Sequence, residues 1–277
     1  MSAGGRKPPL SKDTRLCISL AGRPSNIGTR FHNHLYDMLG LDFIYKAFTT
    51  TDIVAAIAGV RALGIRGCSV SMPFKEDVLS LVDEVEPSAS AIRAVNTIVN
   101  DDGRLTASNT DYLAVQQLID EHGLSAQQRV LIRGSGGMAG AVGAAFADRG
   151  FASGVVVARN PVAGRALADR LGYEYAADVD ARTADVVVNV TPIGMAGGAE
   201  EHDVAFADET IRRAHTVFDV VALPSETPLI TAARAAGVAV ITGAQVIALQ
   251  AAEQFERYTG VRPTSKQIAE ASAVSRA

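Results

Sequence analysis

With 277 residues, 48% of them apolar, the chain can fill two modest α/β domains or one large one around a real core. Its formal net charge of −4 offers no basic face for nucleic acid or anionic membrane, so the expected partner is a small molecule. No apolar run approaches the roughly 20 residues that span a bilayer, and the opening residues lack a signal-type apolar stretch; the chain reads as cytoplasmic, with a disordered leader over 1–14.

The run from Arg15 to Ala21 predicts a buried strand, a Gly-Arg-Pro-Ser-Asn loop follows, and helical spacing runs over 29–39. Residues 43–48 repeat the strand signal, 51–63 read as a helix, and 65–71 as another strand, a βαβ rhythm that implies parallel pairing. A short helix is expected over 74–82. Strands over 94–99 and 104–107 flank Asp101-Asp102-Gly103 as a hairpin, and a helix over 111–121 follows.

From Val130 a second βα series begins, with strands over 130–133, 155–158, 185–190, 217–221 and 238–241 between Ala-rich helices. Helices over 244–258 and after Pro263-Thr264 end the chain. The fold class is therefore α/β, with the second half a Rossmann-like doubly wound sheet.

Strand 130–133 leads into Gly134-Ser135-Gly136-Gly137-Met138-Ala139-Gly140 and then a helix. Small residues there permit a tight turn and bring a helix N-terminus against a pyrophosphate; in isolation such a loop also serves as a packing turn. The next strand ends at Arg159, where an NAD enzyme would place an acid on the ribose 2′-hydroxyl. An arginine there, with Arg165 as a second candidate, favours NADP; the alternative is a solvated strand-end residue.

Lys75 follows a buried strand's carboxyl end, where open parallel sheets bind ligands. Asp111 stands at a helix start, where a capping role for Thr110 or Asp111 is the simpler account. A Lys-Asp pair suits hydride chemistry, because the carbonyl oxygen formed or consumed exchanges a proton with a positioned acid or base. Cys17 and Cys68 read as buried thiols, the histidines are scattered, and no metal-ligand cluster emerges.

Several segments in this order resemble shikimate dehydrogenases: Gly22-Arg23-Pro24, Ser69-Val70-Ser71-Met72-Pro73-Phe74-Lys75, Ala94-Val95-Asn96-Thr97, Asn109-Thr110-Asp111, Gly134-Ser135-Gly136-Gly137, Asn189-Val190-Thr191-Pro192-Ile193-Gly194-Met195, Thr227-Pro228-Leu229 and Gln250. The loop Arg23-Pro24-Ser25-Asn26-Ile27-Gly28-Thr29-Arg30-Phe31-His32-Asn33 resembles a divergent shikimate dehydrogenase-like branch. The resemblance implies a substrate-binding domain over 15–112 completed by helices over 244–277, and an NADP domain over 113–243. It implies Lys75 and Asp111 as catalytic pair and Asn26, Ser71, Asn96 and Gln250 on the substrate. Gly134, Gly136, Gly137, Met138, Ala139, Arg159, Asn189, Thr191 and Met195 would lie on the cofactor.

The implied activity is NADP-dependent interconversion of shikimate and 3-dehydroshikimate, or of a closely related cyclic hydroxy acid, by a monomer or homodimer. Departures fall on the substrate side. Asn26 and Gly28 stand where the family has two serines for the substrate carboxylate, and Ala222 where it has a tyrosine; Asn26, Thr29, Arg23 and Arg30 are candidate replacement donors. These departures keep two alternatives open: a different acid, such as quinate or an aminated analogue, and a non-catalytic NADP sensor.

Overall fold

The computed structural model describes residues 7–180 and 182–276. The chain divides into two compact units, one built from residues up to Thr110 and those from Ala248 on, the other from Asp111–Ile247. Among the described residues, no helix is long and apolar enough to cross a membrane. Of the leader expected over 1–14, residues 1–6 lie outside the described residues. The rest makes defined contacts: Lys7 Nζ is 3.1 Å from Asp37 Oδ1, and Thr14 Oγ1 donates to Asp42 Oδ1 at 2.7 Å.

The first unit opens with β1 (Arg15–Ala21), α1 (Ile27–Leu39), β2 (Phe43–Thr49), α2 (Ile53–Ala62) and β3 (Gly67–Val70). β1 pairs in parallel with both β2 and β3, as a βαβ rhythm requires. The helix expected over 74–82 is instead a 3-10 turn, Asp77–Ser80, closed by Leu79 N–H to Glu76 O and Leu81 N–H to Val78 O. The short β4 (Glu84–Val85) and α3 (Pro87–Ser90) follow. β5 (Thr97–Asp101) and β6 (Arg104–Ser108) then form an antiparallel hairpin whose turn residues Asp102 and Gly103 both have positive φ. The sheet order is β2-β1-β3-β5-β6-β4.

Alternation along β1 sends Cys17 to one face and Ile18 and Leu20 to the other. Ile18 and Leu20 join Ile53, Ile57 and Val60 of α2. Cys17 joins Phe31, Leu35 and Tyr36 of α1 with Phe255 and Tyr258 from near the chain's end. Gly67 permits that second layer: a Cβ there would fall 2.3 Å from the Tyr258 ring. Burial raises the Cys17 thiol to about 12, and Cys68 is pushed up for the same reason.

The second unit takes in most of α4 (Thr110–Glu121), then β7 (Val130–Arg133), α5 (Gly137–Asp148), β8 (Gly154–Val157), α6 (Pro161–Leu171), β9 (Glu174–Ala176), β10 (Val186–Asn189), α7 (Asp208–Arg213), β11 (Thr216–Asp219), α8 (Pro228–Ala235) and β12 (Ala239–Thr242). Its strands are all parallel in the order β12-β11-β10-β7-β8-β9. The chain runs outward from β7 to β9 and returns to β10 on β7's other side. The strand order therefore reverses between β7 and β10, and such sheets bind ligands at the carboxyl ends beside that point. Reciprocal Thr-x-x-Gln boxes start α9 (Gly243–Thr259) and α10 (Ser265–Arg276): Thr242 N–H donates to Gln245 Oε1 and Thr264 N–H to Gln267 Oε1, both at 2.8 Å.

Candidate active site

In the second unit, a cleft of about 380 Å³ opens at the carboxyl ends of β7, β8, β9 and β10. Its lining includes Arg133, Gly134, Gly136, Arg159, Asp178 and Thr191. The glycines divide the work. Gly134 has φ +128°, and a Cβ there would lie 2.8 Å from Val190 Cγ2 and 2.9 Å from the Val190 carbonyl oxygen, so the turn needs glycine to pass β10. At Gly136 and Gly137 a Cβ would meet nothing within 4 Å, which leaves that side open to a ligand. Gly137 begins α5, so the first-turn amides at Gly137, Met138 and Ala139 have no intrahelical partner and favour an anion. The Ala139 side chain itself is fully buried against the unit's core.

Arg159 follows β8, with its side chain 78% exposed and its Nη1 3.7 Å from Glu200 Oε1. Asn160 beside it caps α6, accepting from the Val162 and Ala163 amides at 3.0 and 3.2 Å. Arg165 does not join Arg159 in the cleft: its guanidinium lies 4.6 Å over the Tyr175 ring.

Asn189 is fully buried and turns its polar atoms inward. Its Nδ2 donates to Asp219 Oδ1 at 3.0 Å and to the Ile193 carbonyl at 3.2 Å, while its Oδ1 accepts from the Thr191 hydroxyl at 2.6 Å. Asn189 thus shapes the turn that presents Thr191, rather than offering a polar atom to the cleft. Asp219 also accepts from Thr227 Oγ1 at 2.7 Å, and that oxygen caps α8 through the Ile230 amide. Burial raises the Asp219 pKa against three hydrogen bonds, from Thr227, Val221 and Asn189, that lower it. Met195, at the end of this turn, is 42% exposed.

In the first unit, Asn96 and Gln250 meet through Thr110. Asn96 Oδ1 accepts from the Thr110 amide and the Thr97 hydroxyl at 2.8 Å each and from Thr110 Oγ1 at 3.1 Å, so a ligand contact by Asn96 falls to Nδ2. Thr110 Oγ1 also reaches Gln250 Oε1 at 3.3 Å, and Gln254 Nε2 donates to Thr97 Oγ1 at 3.0 Å. The sequence reading missed Thr97 and Gln254, which hold this network from opposite ends of the unit's sequence. Lys75 is half-buried, and its carbonyl accepts from the Val95 amide at 2.7 Å, one residue from Asn96. Asp111 follows Thr110 directly, in the first turn of α4, where the helix dipole favours a carboxylate.

The loop after β1 runs beside the residues after β3, with Gly22 N–H donating to Met72 O at 3.0 Å. Ser71 and Asn26 are both exposed on these segments, and Asn26 begins α1 without a side-chain capping bond. Thr29 is not a surface donor here, because its Oγ1 is buried. Below Gly28 lies Tyr45: its hydroxyl would be 3.5 Å from a Cβ at Gly28 and bonds Ser69 Oγ at 2.7 Å. His32 is buried, stacked on Tyr45 at 4.4 Å, and burial lowers its pKa to about 3.

Fold and site together define a two-unit α/β protein whose second unit is of the doubly wound nucleotide-cleft type. Residues 26–98 match the model of the shikimate dehydrogenase substrate binding domain. The chain is 57% identical over 267 residues to a shikimate dehydrogenase-like protein of Haemophilus influenzae, covering 96% of this chain and 98% of that one. It is 38% identical to a shikimate dehydrogenase (NADP(+)) of Oleidesulfovibrio alaskensis, over 83% of this chain and 84% of that one. A shikimate 5-dehydrogenase from Thermus thermophilus, solved with NADP(H) and shikimate, superposes with a TM-score of 0.84 at 28% identity, over 94% and 99% of the two chains. The chain belongs to the shikimate dehydrogenase family.

Proposed function

We propose that this protein is an NADP-dependent dehydrogenase interconverting shikimate, or a closely related cyclic hydroxy acid, with its 3-dehydro ketone. The observation that carries the reading is the second unit's cleft, with its glycine turn at the sheet's switch point and Arg159 where an NAD enzyme would carry an acid. Family membership with relatives named as NADP enzymes adds to it.

The residues of the cleft fit the cofactor. The open sides of Gly136 and Gly137 and the amides opening α5 would hold the pyrophosphate, and the exposed Arg159 guanidinium the 2′-phosphate. NADP, when bound, supplies the hydride acceptor or donor. Lys75 takes the hydroxyl proton at Nζ during oxidation and returns it during reduction, and Asp111 serves as its acidic partner. Asn96 Nδ2, Gln250, Ser71 and Asn26 orient the acid. The two catalytic roles rest on the family resemblance and on the positions of Lys75 after β3 and Asp111 at the start of α4.

A second reading keeps this chemistry but changes the acid. It is favoured by Gly28, which offers no hydroxyl, lies against the Tyr45 phenol, and stands where the family places a serine. The test is nicotinamide reduction, followed by near-ultraviolet absorbance, with shikimate, quinate and other cyclic hydroxy acids. Turnover of shikimate with NADP, abolished in Lys75→Ala while NADP binding persists, is the expected result. Turnover of another acid alone would move the assignment to the second reading, and NADP binding without any turnover would leave a sensor.

A further inference from the structure

The charge in the nucleotide cleft is mixed. Arg159 reaches Glu200 Oε1 at 3.7 Å, and Arg133, half-buried at the end of β7, lines the same cleft and donates to the Ala205 carbonyl. Burial lowers the Arg133 pKa; Glu200 opposes the shift, Arg159 adds to it, and Asp178 also opposes it. Two guanidinium groups and two carboxylates, Glu200 and Asp178, are thus close enough to act on one another around the cleft.

The backbone fixes where Glu200 sits. Its carbonyl accepts from the amides of Gly194 at 2.9 Å and Asp203 at 3.1 Å, and its side chain is 34% exposed. Gly194 belongs to the same Asn189-to-Met195 turn whose residues Val190 to Ile193 line the cleft. These bonds anchor the Glu200 backbone to the turn that lines the cleft, and its side chain reaches from there to Arg159.

A site built only to select a 2′-phosphate gains by leaving its arginine fork available, since bidentate pairing with an anion is where guanidinium outperforms other donors. Here a carboxylate already lies beside that arginine, 3.7 Å from Nη1. We propose that Glu200 sets the selectivity between dinucleotides with and without a 2′-phosphate. Its negative charge lies beside Arg159, so an incoming 2′-phosphate meets a like charge there, whereas an uncharged 2′-hydroxyl does not. The inference rests on the dinucleotide reading of this cleft and goes beyond it, because it makes the preference a graded property tuned by a carboxylate beside the arginine.

The experiment is calorimetric titration of the full chain and of Glu200→Gln with NADP and with NAD, at low and at raised salt. Glu200→Gln is expected to tighten NADP about two- to fivefold and to move NAD less than 1.5-fold, the gain shrinking as salt screens the charges. Glu201→Gln is the control for general loss of charge: the Glu201 carboxylate accepts from the Gly197 amide at 2.9 Å, and this variant should leave the NADP-to-NAD ratio unchanged. An unchanged or lowered ratio in Glu200→Gln, or an equal rise in Glu201→Gln, would overturn the inference while leaving NADP binding by the wild-type chain intact. Binding of neither dinucleotide by the wild-type chain would overturn this inference together with the dinucleotide reading.

Discussion

Gly134→Ala puts two costs on one methyl group. At φ +128° an L residue is strained, which costs about 1–3 kcal/mol. The added Cβ also lies 2.8 Å from Val190 Cγ2 and 2.9 Å from the Val190 carbonyl oxygen. The methyl can rotate, but the carbonyl belongs to a residue whose own amide bonds Arg133 O at 2.9 Å, so overpacking adds about 1–3 kcal/mol. The sum is about 2–6 kcal/mol, read as a lower urea midpoint by circular dichroism. Gly137→Ala is the matched comparison, three residues on with nothing within 4 Å of the new methyl. It should hold or raise stability by about 0.4–1 kcal/mol and still weaken NADP binding, because the methyl projects into the open side of the turn. A loss below about 1 kcal/mol for Gly134→Ala, or equal losses for the two variants, would refute the argument that one glycine serves the backbone and the other the ligand.

Thr110→Val removes the hydroxyl that joins Asn96 to Gln250; the KM for the acid should rise several-fold with a smaller change in kcat, and an unchanged KM would remove the network from substrate binding. Thr227→Ala deletes the α8 cap and one partner of buried Asp219, for an expected loss of about 1–3 kcal/mol in denaturant titrations. His32 titrates near pH 3 when folded against 6.5 ordinarily, so the unfolded chain binds more protons between those values. Stability from this group is complete above pH 6.5 and falls as pH drops toward 3, by up to about 1.4 kcal/mol per unit, and His32→Phe should flatten that slope.

The parts of the fold most legible in the sequence are those whose signal is local and doubled. The strand over 130–133 is three apolar residues, Val130, Leu131 and Ile132, then Arg133 before the glycine turn, and its observed bounds are the same. The strand expected over 94–99 begins only at Thr97; before it, the Val95 amide turns away to the Lys75 carbonyl. β4 and β9, two and three residues long, are too short to display a period. At the candidate site, single residues were readable from motifs, whereas their partners were not. Gln254 reaches Thr97 from 157 positions away, and nothing near Glu200 in the sequence announces that it faces Arg159.

The chain leaves its first unit at Thr110 and returns to it only at Ala248. On a ribosome the second unit is thus available whole, as one continuous stretch, before the first has its last layer. Until Phe255, Tyr258 and Ala271 emerge, the Cys17 face of the first sheet has no cover beyond α1, and the close fit of Tyr258 on Gly67 cannot form. Synthesis therefore delivers the inserted unit's whole sequence before the last layer of the surrounding one, which needs the chain's final helices to complete its core.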